Sequence, residues 1–411
     1  MPFHSVPLWA SIPFAAMLLS IAVLPLVSYD WWEGHYPHVT IALGLTTITA
    51  YILIFDHPER LVHTGLDYFA FMSLLGSLFV VSGGILIRIE GAVTPLTNTS
   101  LLLIGAIISN LFGTTGASLL LIRPYLHINR HRMKPYLAVF FIFIVSNVGG
   151  SLTPIGDPPL FLGYLKGVPF FWITGRLWYV WLMAVGLLLA AFLFFDFRNH
   201  KGEKKTHAHG SSRIVVTGWY NLVFLGLIVL AVFKPTPLRE LMMIGAAAAS
   251  YFLTPKSVHR GHDFTFHPIV EVAVLFFGIF ATMMPALDWL EANAHVFAAG
   301  APGAFYWATG ILSSFLDNAP TYLSFLYALM GLKKLDVAGL LLHAPLFVVA
   351  ISLGSVFFGA MTYIGNGPNF MIKAIARRAG VRMPTFFGYM LGYSIPILLP
   401  ILFVVWLIFL I

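Results

Sequence analysis

Apolar residues along this chain fall in long runs rather than in alternation. Runs of about 20 residues recur from end to end, the length needed to cross a hydrocarbon core. The pattern predicts ten helical crossings, at residues 8–28, 38–55, 65–87, 136–165, 175–197, 217–233, 238–254, 268–290, 340–372 and 386–410. Two further apolar stretches, 100–122 and 304–330, are interrupted at their centres by "GTTG" (113–116) and "DNAP" (317–320). Gly and Pro at such positions break a straight span, so each stretch is expected to be a re-entrant helical hairpin. Two of the crossings, 136–165 and 340–372, carry "TPIGDPPLF" (153–161) and "TYIGNGPNF" (362–370) in mid-course. These are expected to be broken helices. The first apolar run has no basic segment before it and no evident cleavage site after it, so it is expected to be a retained span.

Composition agrees with the pattern. Of 411 residues 59% are hydrophobic and 9% charged, with no cysteine. So few charges cannot cover a soluble protein of this length, and no disulfide or thiolate chemistry is available. The expected class is an all-α polytopic membrane protein whose solvent is the lipid bilayer. The net charge of +7 does not imply nucleic acid, because Lys and Arg lie in short loops between spans. With the 198–213 loop cytoplasmic, 16 of the 23 basic residues fall on the cytoplasmic side, as the positive-inside rule requires. That topology expects a multi-pass protein of the inner (plasma) membrane with both termini outside the cytoplasm.

The chain also repeats. His63 and Asp67 match His267 and Glu271 at an offset of 204, "GTTG" matches "DNAP" at 204, and the two broken-span motifs match at 209. The expected organisation is a first repeat over 1–197, a cytoplasmic linker over 198–216 and a second repeat over 217–411. Five crossings per repeat would invert the second relative to the first. Inverted repeats with matched broken helices are a transporter signature.

Irregular backbone at membrane depth survives only against protein or a wet cavity. The four breaks are therefore expected to converge. Asp157 and Asp317 are the sharpest candidates, because a carboxylate in mid-span costs about 2.5–3.5 kcal/mol unless a partner or cavity receives it. The bland alternative for each is a helix cap. Asn318, Asn147, Thr114, Thr115, Thr153, Gly156, Thr362, Gly365, Asn366 and Asn369 lie beside the breaks, and their oxygens suit a hard cation such as Na⁺. No Lys or Arg falls inside the breaks, which favours a cation as the transported or coupling species. Asp67 and Glu271 are expected to open their spans, where an acid suits the helix dipole. The loop histidines at 127, 131, 200, 207, 209, 259 and 262 are expected to be solvated, and His343 to be a satisfied core histidine.

"SNVGGSLTPIGDPP" (146–159) and "LDNAPT" (316–321) resemble the break and hairpin tip of the ion-transporter superfamily, along nearly the whole chain. That group includes NhaD-type sodium/proton antiporters, arsenite permeases, the pigmentation-linked P protein, and citrate and dicarboxylate carriers. "GTTGASLLLIRPYL" (113–126) looks like a bacterial group labelled sodium/proton antiporters or citrate transporters. The resemblance implies a homodimer, a scaffold domain, a mobile transport domain and elevator-type alternating access. The dicarboxylate carriers place Ser-Asn-Thr at both hairpin tips, whereas here the tips read Gly113-Thr114-Thr115 and Asp317-Asn318-Ala319. The function expected first is exchange of Na⁺ or Li⁺ for H⁺, with Asp157 and Asp317 as sodium ligands and no other cofactor. The alternative is cation-coupled carriage of citrate or a dicarboxylate. An intramembrane aspartyl protease is a remote alternative: Tyr29-Asp30, Gly156-Asp157 and Pro285-Ala286-Leu287 match its motifs only in part, and the chain is not expected to be an enzyme.

Overall fold

The computed structural model describes residues 6–55, 57–90, 93–200, 213–261, 264–294 and 300–411. It is 81% helical. Helices α1 (Ile12–Val27), α2 (Tyr29–Leu53) and α3 (Pro58–Gly83) lead into a strand, β1 (Leu86–Glu90). Then come α4 (Pro95–Ile128), α5 (Pro135–Ile144), α6 (Pro158–Leu165) and α7 (Phe170–His200). Strand β2 (Arg213–Thr217) precedes α8 (Asn221–Val232), α9 (Leu238–Leu253), α10 (Lys256–Gly261) and α11 (His267–Ala292). The chain continues through α12 (Pro302–Phe315), α13 (Asn318–Lys333), α14 (Val337–His343), α15 (Pro345–Phe358) and α16 (Gly367–Arg378). It ends with α17 (Phe386–Tyr389), a π-helical segment (Met390–Leu398) and α18 (Leu399–Phe409). Proline opens many of these helices, including α3, α4, α5, α6 and α15. Its missing N–H would be unsatisfied there in any case.

Among the described residues seven helices are long and apolar enough to cross a membrane. An eighth forms if α14 and the 345–361 segment are taken as one span bent by 107°. α4 is one of the seven by length, yet it does not run straight. Gly113 has φ 72° and ψ 157°, a left-handed conformation that glycine adopts without a Cβ penalty. The chain reverses there. Asn98 and Asn129, 31 residues apart, exchange hydrogen bonds of 3.0 and 2.8 Å at the mouth of the resulting hairpin. On a straight helix they would be about 46 Å apart. Helices α12 and α13 fold back in the same way, with the rings of Phe305 and Phe325 6.2 Å apart.

The segment between α5 and α6 unwinds through a short turn, Val148–Gly150, and that between α15 and α16 through Gly359–Met361. Both α5 and α15 are buried on nearly every face, so these broken helices form the centre of the molecule, as helices apolar all round should.

The sequence reading needs several corrections. β1 and β2 pair antiparallel, with Leu86 opposite Thr217 and Glu90 opposite Arg213. A small ribbon therefore occupies the end of the expected 65–87 crossing and part of the expected 198–216 linker. α7 runs on to residue 200, and residues 201–212, with His207 and His209, lie outside the described residues, as does His262. The second broken span begins at Pro345, because residues 340–343 belong to α14. His343 ends α14 in an exposed position, not in the core. Asp67 lies more than two turns into α3 and pairs with Lys166, so it does not serve the helix N-terminus. The π-helical segment had no counterpart in the sequence reading. It contains Pro396, whose missing N–H disrupts the normal ladder.

Candidate functional site

Both unwound segments are drawn against a hairpin by one repeated set of bonds. Thr153 Oγ1 donates to Asn110 O at 2.6 Å and accepts from Gly156 N at 3.1 Å. Thr362 Oγ1 donates to Ser314 O at 2.5 Å and accepts from Gly365 N at 3.2 Å. These threonines staple break to hairpin, and their hydroxyls are occupied. The glycines make the close approach possible. A Cβ on Gly156 would lie 2.0 Å from Gly150 O, and one on Gly365 would lie 2.7 Å from Gly359 O. The tip of the first hairpin is fastened by Thr114 N–H to Gly156 O at 2.7 Å.

This stapling presents Asp157 and Asn366 alike, each as the residue before a new helix. Asp157 has φ −144°, ψ 144° ahead of α6, and Asn366 has φ −154°, ψ 138° ahead of α16. Neither side chain caps its own helix. The Asp157 carboxylate is instead met by three neutral donors from three other parts of the chain. Thr114 Oγ1 on the first hairpin donates to its Oδ1 at 2.6 Å. Asn318 Nδ2 on the second hairpin donates to its Oδ2 at 2.6 Å. Asn366 Nδ2 on the second break reaches Oδ1 at 3.3 Å. The four interruptions foreseen in the sequence therefore meet at one carboxylate.

The network continues behind Asp157. Asn366 Nδ2 also reaches Asn147 Oδ1 at 3.1 Å, and Asn147 Nδ2 donates to Asn369 Oδ1 at 2.7 Å. Asn369 Nδ2 in turn serves the carbonyls of Gly359 and Thr362 at 2.8 and 2.9 Å. All four asparagines and Asp157 are buried. Within this network Oδ1 of Asn318 is buried with no hydrogen-bond partner among the described residues. Leaving an oxygen unmatched beside a carboxylate costs about 1–3 kcal/mol and offers a ligand to a cation.

Asp317 stands differently. It caps α13, its Oδ1 accepting from Ala319 N at 2.9 Å, and it is not among the groups bonded to Asp157. Thr115 lines a crevice beside Asp157. That crevice measures about 20 Å³, room for one water-sized guest. Its polar wall is the 113–116 tip and the 154–158 break, and its apolar wall is α3, through Phe71, Leu74, Leu75 and Leu78. Sequence reasoning missed Asn110, whose Nδ2 donates to Gly149 O at 2.7 Å and whose Oδ1 accepts from Leu152 N at 2.9 Å. A polar residue three positions before a hairpin glycine was the available signal. It also missed the clamp at the mouth of the first hairpin, where buried Asp196 is held by Arg132, by Tyr136 Oη at 2.6 Å and by Asn98 Nδ2 at 3.0 Å.

The helices and the buried polar centre define an all-α polytopic membrane protein. A family described as putative citrate transport matches residues 3–410. The chain belongs to that family and is a membrane transporter; membership implies transport, not an enzymatic activity. No curated protein sequence matches it significantly.

Proposed function

We propose that the protein is a secondary transporter that exchanges Na⁺ or Li⁺ for H⁺ at Asp157. The observation that carries this reading is a buried carboxylate that, among the described residues, is received only by neutral donors, with no Lys or Arg bonded to it. Such a group can hold either a cation or a proton, and the two compete for the same oxygens. The Asn318 oxygen, unmatched among the described residues, suits a dehydrated monovalent ion, and the crevice, which Asp157 lines and Asn318 does not, has room for a single guest. The α3 wall would stay fixed while the hairpins and breaks carry the ion past it, an elevator motion within a homodimer. Asp317, as a cap at the second hairpin tip, would hold Asn318 in place and would not ligate the ion itself.

The family description favours a second reading, in which citrate or a dicarboxylate moves with the cation. A ΔpH assay in everted vesicles separates the two, with Na⁺, Li⁺, K⁺ and then citrate added in turn. Exchange predicts that Na⁺ or Li⁺ alone dissipates the gradient. A requirement for citrate would replace the first reading with the second.

A further inference from the structure

The packing around the two breaks is alike among the hairpins and broken helices, and unlike at α3 and α11. α6 packs on the second hairpin through α13 and on α15, while α16 packs on the first hairpin through α4 and on α5. Those contacts correspond one to one. α6 also packs on α3, and its Phe161 lines the crevice that α3 walls. No comparable packing of α16 on α11 is present among the described residues. Phe370, which matches Phe161 at the 209 offset, is 37% exposed, against 1% for Phe161.

The charges divide in the same way. Asp67 of α3 pairs with Lys166, the residue that ends α6. Glu271 of α11 matches Asp67 at the 204 offset, yet it has no ion-pair partner among the described residues. On α16, Lys373 and Arg377 follow Phe370 at i+3 and i+7, so the three share a face. Neither cation has an ion-pair partner among the described residues. Lys373 lies instead over the ring of Tyr363, 4.1 Å from its centroid. An acid on α11 and a basic stripe on α16 thus stand apart where the corresponding pair on α3 and α6 is joined.

We propose that these are two alternating latches. Asp67–Lys166 holds the arrangement described here. Glu271 closes on Lys373, with Arg377 beside it, in the arrangement reached when the hairpins and breaks move past α3 and α11. The cost of separating one pair is then offset by joining the other. The inference rests on the elevator motion proposed above and not on the identity of the ion.

The chain has no cysteine, so introduced pairs supply its only thiols. Glu271→Cys with Lys373→Cys, treated in vesicles with a bis-methanethiosulfonate reagent, should cross-link. Adding Lys166→Gln opens the first latch and should speed that link by about fivefold, the upper range for an ion pair near the surface. Asp67→Cys with Lys373→Cys should not link. The proposal is overturned if 271 and 373 do not link while each thiol reacts singly with a maleimide. An unchanged rate in Lys166→Gln, or equal linking of 67 with 373, overturns it as well. The motion is tested apart: linking Asp67→Cys to Lys166→Cys should stop Na⁺- or citrate-driven transport, and reduction should restore it. Transport that persists through that link removes the elevator motion and both latches with it. A block there without a link at 271 and 373 removes the second latch and leaves the motion. Linking at 271 and 373 without Na⁺-driven proton movement would support the latches and count against the exchange reading alone.

Discussion

Replacing Asn318 by Leu removes two atoms with opposite effects. The Nδ2 donor to Asp157 Oδ2, at 2.6 Å, is a hydrogen bond to a charged group, worth about 1.5–3 kcal/mol. The Oδ1 atom has no partner among the described residues in its buried position, and its removal returns about 1–3 kcal/mol of desolvation cost. Leu keeps the volume, so little cavity or clash arises. The two contributions nearly cancel, and Asn318→Leu should fold and insert like the wild type. Transport should not be spared. The second hairpin loses its hold on Asp157, and the ion loses a ligand oxygen. At 1.4 kcal/mol per factor of ten, 1.5–3 kcal/mol corresponds to a roughly 10- to 150-fold rise in the Na⁺ concentration giving half-maximal ΔpH dissipation. Gel filtration in detergent checks the fold, and a Na⁺ titration in everted vesicles checks the shift. A half-saturating concentration within about twofold of wild type, in well-folded protein, would refute the role given to Asn318.

Gly156→Ala should prevent assembly of the first break, because its Cβ would meet Gly150 O at 2.0 Å; Gly367→Ala, with nothing within 4 Å, should be tolerated, and membrane yield compares the two. Asp317→Ala should lower stability by about 1 kcal/mol through loss of the α13 cap, while Asp317→Asn, which still caps, should retain Na⁺-dependent ΔpH dissipation. Loss of that activity in folded Asp317→Asn would make Asp317 an ion ligand after all.

The helical, membrane-spanning character was open to reading from the sequence because it depends on run length and on where glycine and proline interrupt. "GTTG" marks the reversal of α4 at Gly113, and the Asp-Pro-Pro and Asn-Gly-Pro triplets mark the starts of α6 and α16. Roles within the polar centre were less legible. Asp157 and Asp317 look alike in sequence, yet one receives side-chain donors and the other caps its own helix. That difference depends on which elements pack against each, a long-range fact. Thr153 and Thr362 read as possible ligands, but backbone atoms of the neighbouring hairpins take their hydroxyls. The β1–β2 ribbon was invisible because five-residue strands at the edges of apolar runs leave no period to detect.

The claim that Asp157 holds the transported cation is tested most directly by binding of radioactive sodium to purified protein. Wild type should bind Na⁺ in competition with Li⁺ and with protons. Asp157→Asn, which keeps the shape and one oxygen but cannot ionise, should fold normally and bind none. Undiminished Na⁺ binding by Asp157→Asn would contradict the account.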